Sequence, residues 1–330
     1  MILSSQSRIR LHLMMALSCA IALAIFSGWR EVGIDRANYL GMYEGVISNE
    51  DWSIRLWYAK DILFLASAMF SNYVGDEPRI AFLIICSLST FLKYYSIRKI
   101  APQYTLPFIL LYAVFLAPGL EFAAMRGALA IGFFMLAVAY WDQKIRFTLL
   151  SVLTGMAHMT AALPIIFAIR PINIFISKHK SSFIVICIGV SLSAAALLNI
   201  FPHGIDYEGN HGTLLAYSEP LATLLIAWLI FFRLDKVSAL HPMDKTFEYL
   251  RVIRPIVYGL IAIAFGISGV VVTAGTRYLE ISWCFLLLVS IMMFKKSLIN
   301  KLGGLILLIF LAYINMIRLT WLAIASPNFG

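Results

Sequence analysis

The sequence predicts an all-α, polytopic integral membrane protein, and three observations predict it. Of 330 residues, 61% are hydrophobic and only 13% charged, with a mean hydropathy of +0.87, outside the range of soluble globular domains. Apolar runs near the ~18 residues that a membrane-crossing helix needs recur along the whole length. The links between them are mostly short and carry most of the lysine and arginine, the usual mark of loops kept on the cytoplasmic side.

In order, full spans are expected at residues 11–28, 80–97, 104–118, 120–140, 146–159, 161–176, 181–199, 214–232, 252–272, 277–294 and 303–321. The first run lacks a clean small-residue cleavage site and is followed by many similar runs, so it reads as a span rather than a removable signal. The run at 56–74, "LWYAKDILFLASAMFSNYV", is long enough to cross but contains Lys60 and Asp61. Charge decides its reading. With Arg8 and Arg10 inside and 56–74 not crossing, 18 of the 26 lysines and arginines fall inside and 8 outside. Only 4 of the 17 acidic residues then fall inside: Asp142, Asp235, Asp244 and Glu248. The run is therefore expected to be an outer interfacial or re-entrant helix, beside about 11 transmembrane helices with the C-terminus outside. The whole of 1–330 reads as one transmembrane domain. Its larger links are an outer loop and interfacial helix at 29–79, an outer loop at 200–213 and a cytoplasmic loop at 233–251.

The net charge of +9 resides mainly in those loops, so nucleic acid is not an expected partner. Cys19, Cys86, Cys187 and Cys284 all lie in apolar runs without metal-ligand spacing and read as small buried hydrophobes. No Walker-type phosphate loop, zinc-protease motif or nucleophile elbow is present. "GISGV" at 266–270 reads as helix packing. No metal site is expected.

Several polar residues need a reason. Arg126 lies about one and a half turns inside its span from the outer end, and Glu121 lies nearer the water. An arginine at that depth snorkels, pairs or faces a wet cavity. Ala123, Ala124, Gly127, Ala128 and Ala130 surround it; small residues permit close helix packing and also leave room for a ligand. His158, in "LTGMAHMTAALP", ends a later span at the same expected face; it is either an interfacial histidine or a group able to take a hydroxyl proton. Arg277 opens "TRYLEISWCFLLLVSIMMF" with Tyr278 and Glu280 beside it, and reads as an interfacial anchor or a second anion ligand. Three helices thus bring Arg126, His158 and Arg277 to one expected face, which permits a single outer site. Two arginines at a membrane interface suit a phosphate or pyrophosphate headgroup. Outer acidic and aromatic residues suit sugar, among them Asp35, Tyr39, Tyr43, Glu44, Tyr207 and Glu208.

The chain resembles the EpsG-like branch of Wzy-type polysaccharide polymerases. Three pieces carry the resemblance: "GIDRANYLGMY" after the first span, "MRGALAIGFFMLAVAYWDQKIRFTLLSVLTGMAHMTAALP", and the weaker "TRYLE" before a late span. Members often have glutamine after the mid-chain arginine; here Gly127 stands there. The serine or threonine that usually follows the histidine is matched by Thr160.

The resemblance implies a GT-C-like glycosyltransferase architecture in the bacterial inner membrane, with the active site facing the periplasm. It implies polymerisation of repeat units of O-antigen or a related surface polysaccharide. The donor would be a growing glycan on undecaprenyl pyrophosphate, and the acceptor a second lipid-linked repeat unit. No cofactor is implied, and a chain-length regulator protein is an expected partner. On those terms Arg126 and Arg277 would hold pyrophosphate. His158 would be the base, with Asp35 or Glu121 as alternatives in that role. Arg36, Tyr39, Tyr43, Thr160, Tyr207, Glu208, Tyr278 and Glu280 would contact substrate. Two other readings stay open. An O-antigen ligase-like transferase would carry a larger outer loop, and a lipid-linked glycan or polysaccharide transporter would show two homologous halves.

Overall fold

The computed structural model describes residues 5–30, 35–158, 161–179, 189, 217–232, 234–235, 245–268, 272–294 and 296–325. The described residues are helical with no strand, as a multi-pass membrane protein requires, since helices satisfy their own backbone in lipid. Among the described residues, five helices are long and apolar enough to cross a membrane: Gln6–Trp29, Pro78–Ile100, Thr246–Ser268, Gly275–Met293 and Leu298–Ile317. Shorter apolar helices cover Ile62–Val74, Pro102–Phe115, Met125–Ala139 and Ser218–Phe231.

The chain forms two compact units, Met1–Ala162 with Phe310–Gly330, and Leu163–Ile309. The first is built from α1 (Ser5–Trp29), α2 (Arg36–Ser48), α3 (Trp52–Ala59), α4 (Ile62–Val74), α5 (Pro78–Ile100), α6 (Thr105–Phe115), α7 (Met125–Ala139) and α8 (Lys144–Ala157). Helix α5 starts with proline in its first turn, where no amide donor is needed, and ends with Arg98 and Lys99, whose charges suit the C-terminal end of the helix dipole. It is the central element, and two glycines let its neighbours approach. A Cβ at Gly28 of α1 would stand 2.4 Å from the Leu83 Cα, and one at Gly132 of α7 would stand 3.0 Å from the Leu92 Cβ. A core of Tyr39, Phe64, Phe82, Met125 and Leu129 joins α2, α4, α5 and α7.

The expected span at 120–140 is shorter than the apolar run suggests. Helix α6 stops at Phe115, residues 116–123 form successive turns, and α7 begins at Met125. Pro118 and Gly119 sit in that break, where a missing amide and a flexible backbone both oppose a continuous helix. The run at 56–74 likewise splits, into α3 and α4, at Lys60 and Asp61.

The second unit contains α9 (Ala162–Ala168, from Leu163 onward), α10 (Arg170–Lys178), α11 (Ser218–Phe231), α12 (Lys245–Ser268), α13 (Val272–Met293) and the first part of α14 (Leu298–Ala325). The expected span 161–176 is thus two helices, with Pro171 in the first turn of α10. Polar side chains tie this unit together. Asn300 Nδ2 donates to the Ile230 carbonyl at 2.6 Å and the Phe232 carbonyl at 3.1 Å. Trp283 Nε1 donates to Thr223 Oγ1 at 3.0 Å, and Asn173 Nδ2 to the Val252 carbonyl at 3.0 Å. Such bonds hold helices together where lipid offers no hydrophobic gain. The expected span 181–199, apart from Gly189, and the loop 200–213 lie outside the described residues, as does most of 233–251.

Candidate functional site

Three polar side chains of the first unit meet at the corner between α3 and α4. Lys60 closes α3 with φ 61°, a left-handed conformation, while its amide donates to the Leu56 carbonyl at 2.8 Å. The next residue, Asp61, starts α4 but makes no capping bond with its side chain. Its carboxylate is buried instead, and Arg126 Nη1 donates to its Oδ2. The same nitrogen reaches the Ala59 carbonyl at 3.3 Å. His158 Nδ1 lies 3.4 Å from that same Asp61 Oδ2.

The sequence explains how Arg126 and His158 reach one carboxylate. Helices α7 and α8 are joined by the short link at 140–143, so the start of α7 and the end of α8 lie at one end of an antiparallel pair. Arg126 is the second residue of α7, and His158 terminates α8, where the backbone becomes extended. Gly127 leaves space between them: a Cβ there would stand 3.9 Å from the His158 Cδ2. Gly127 thus leaves room beside the imidazole.

The guanidinium of Arg126 also lies over Tyr39, with its carbon 5.7 Å from the ring centroid, a cation–π distance. Tyr39 is wedged against Phe64 and Phe82, with ring centroids at 5.9 and 6.2 Å. Burial pushes the Tyr39 phenol above its ordinary pKa. Side-chain exposure rises from 4% at Asp61 to 14% at Arg126 and 26% at His158. The imidazole is therefore the most accessible of the three, and the carboxylate the most enclosed.

Glu121 differs from its expected position toward water. It is fully buried, and Lys93 Nζ of α5 lies 2.9 Å from its Oε1. Ser89 Oγ and Tyr112 OH donate to that same oxygen at 2.8 and 2.9 Å. The backbone around it is held by Arg30, which donates to the carbonyls of Glu121, at 2.8 Å, and of Phe122. Burial lowers the Arg30 pKa from its ordinary value. The Glu121 cluster thus pins the non-helical segment that leads into Arg126.

Among the other expected site residues, Asp35 stands at the start of α2, and Arg36 donates to the Arg30 carbonyl. Tyr43 donates to Asp76 Oδ1 at 3.2 Å. In the second unit, Arg277 Nη1 pairs with Glu280 Oε2 at 2.9 Å, one helical turn on, while Tyr278 and Glu280 are buried. Thr160, Tyr207 and Glu208 lie outside the described residues. Among the described residues no group of three histidine, cysteine or carboxylate side chains has metal-site geometry.

A known family matches almost the whole of this chain. The family description "EpsG family" matches residues 13–329. The chain belongs to the EpsG family. No curated protein and no solved structure matches it. The EpsG match takes in Asp61, Arg126, His158 and Arg277 together. Membership associates this EpsG-family chain with Wzy-type polysaccharide polymerases and with lipid-linked glycan substrates in general.

The sequence reading missed Asp61, Lys93 and Arg30 as partners of the site. Asp61 did give a signal, as a carboxylate inside an apolar run, but its partners are 65 and 97 residues away. In chemical terms, a guanidinium and an imidazole share one enclosed carboxylate.

Proposed function

We propose that this protein is a membrane glycosyltransferase. It polymerises undecaprenyl-pyrophosphate-linked oligosaccharide repeats into O-antigen or a related surface polysaccharide, at the periplasmic face of the bacterial inner membrane. The observation that carries the reading is the EpsG-family match over residues 13–329. The meeting of Arg126 and His158 at Asp61 supplies groups suited to that chemistry. An arrangement of about 11 spans with GT-C-like architecture belongs to the same proposal.

The acceptor hydroxyl oxygen bonds to the anomeric carbon of the donor sugar. The bond from that carbon to the pyrophosphate oxygen breaks, and its electron pair leaves with undecaprenyl pyrophosphate. Arg126 binds the pyrophosphate and offsets the charge that grows on the leaving oxygen. The hydroxyl proton passes to His158 Nε2, the ring nitrogen that does not face Asp61. Tyr39, beneath the Arg126 guanidinium, keeps that group in place. Arg36 and Tyr43 would contact sugar or phosphate. Arg277, Tyr278 and Glu280 are kept as substrate contacts on the strength of the resemblance, and their own variants test them.

The test is polymerisation by purified full-length protein supplied with one defined lipid-linked repeat unit. A ladder of products without nucleotide sugar supports the reading. Transfer of a single finished glycan to a different acceptor supports a ligase instead. Movement of the lipid-linked unit across a vesicle bilayer without bond formation supports a transporter.

A further inference from the structure

Asp61 Oδ2 accepts from Arg126 Nη1 and also faces His158 Nδ1, and the two partners are unequal. The guanidinium is in close contact. The imidazole stands at 3.4 Å, longer than a strong N–H···O⁻ bond. The carboxylate is 4% exposed, so water does little to satisfy it. It is spent on no helix cap, although it occupies a capping position. Arg126 Nε is buried and has no hydrogen-bond partner among the described residues. One enclosed oxygen therefore serves two donors, and whichever donor is drawn away leaves it to the other.

We infer that Asp61 is an exchangeable counter-ion that links donor binding to activation of the base. The inference rests on Arg126 as the pyrophosphate contact and His158 as the proton acceptor. In the free protein Asp61 neutralises Arg126. When a pyrophosphate approaches, it competes for the guanidinium and loosens that pair. The carboxylate then turns its acceptor capacity to His158 Nδ1. A carboxylate at Nδ1 fixes the proton there, leaves the Nε2 lone pair free for the acceptor hydroxyl, and stabilises the imidazolium that forms. The base becomes fully competent only with a donor in place. This limits proton removal from hydroxyls when no glycan is ready for transfer.

Removing the Asp61 charge should therefore affect binding and turnover in opposite directions, which a merely structural role would not do. The experiment uses the full chain in lipid nanodiscs and undecaprenyl pyrophosphate as the probe. In Asp61→Asn, the probe should bind roughly tenfold more tightly, because no carboxylate competes for Arg126. In the same variant kcat should fall on the order of 10²-fold, because His158 loses its orienting partner. Unchanged or weaker probe binding, or an unchanged kcat, overturns the inference. Arg126→Gln tests the underlying reading separately: if it binds the probe as tightly as the unaltered protein, Arg126 is not the pyrophosphate contact. Should Asp61→Asn fail to fold, the unaltered protein gives the answer by imidazole nitrogen NMR, with His158 assigned by its loss in His158→Asn. The Nδ1 signal should move toward a stronger hydrogen bond when undecaprenyl pyrophosphate is added. A stationary Nδ1 signal in the presence of bound probe overturns the inference.

Discussion

Lys93 Nζ lies 2.9 Å from Glu121 Oε1, and neither side chain has any exposed surface. Lys93 also donates to Ser89 Oγ at 2.5 Å and to the Ala128 carbonyl at 2.7 Å. A buried pair of this kind contributes little relative to well-packed apolar groups, yet breaking it from one side strands a charge. Lys93→Met alone should therefore destabilise the protein by roughly 3–5 kcal/mol. The double variant Lys93→Met/Glu121→Gln should recover most of that loss. Thermal unfolding of purified protein in detergent checks both. A double variant that folds and still polymerises would place Glu121 outside the chemistry.

The corner that delivers Asp61 depends on a left-handed residue with a side chain. Lys60 has φ 61°, which disfavours any residue with a Cβ by about 1–2 kcal/mol. Lys60→Gly should raise stability by about 1 kcal/mol while leaving the Asp61–Arg126 pair intact. The unfolding midpoint and the polymer ladder measure the two halves of that expectation.

Helix α3 also has a pH-dependent start. The Asp51 carboxylate accepts from the Ser53 amide at 2.7 Å and the Ser53 hydroxyl at 2.6 Å. These bonds hold its pKa below the ordinary carboxylate value, with the Ser53 side chain the larger cause. The sign follows from the depressed folded-state value. The cap's contribution is present above the ordinary aspartate range and is lost as pH falls through the folded-state pKa. Amide hydrogen exchange over Trp52–Ala59, corrected for the intrinsic rate, should therefore quicken at low pH. The same exchange in Asp51→Ala should be quicker at neutral pH and show less change on acidification.

Much of the fold was legible because the bilayer imposes one length and one polarity on each crossing segment. Helices α5, α12 and α13 lie close to the runs that predict them. The breaks were less legible. The boundary between the expected spans 104–118 and 120–140 falls within the turns at 116–123, but their extent was not legible, because apolar residues flank Glu121 on both sides. Of the site, Arg126 and His158 could be read together because a single short hairpin brings them to one end. Asp61 could be seen only as a charge that disfavoured a span at 56–74. Its pairing depends on how α4 docks beside α7 and α8, and that tertiary information has no local pattern. Lys93 lay unremarked within an expected span for the same reason: its partner, Glu121, is 28 residues away.

The most direct test of the central claim is the polymer ladder made by Arg126→Ala from one defined undecaprenyl-pyrophosphate-linked repeat unit. Folded protein at normal yield should give no ladder, a loss of at least about 10²-fold in turnover. His158→Asn, assayed alongside, should fall by a comparable factor. A ladder of normal length and rate from folded Arg126→Ala would contradict the account.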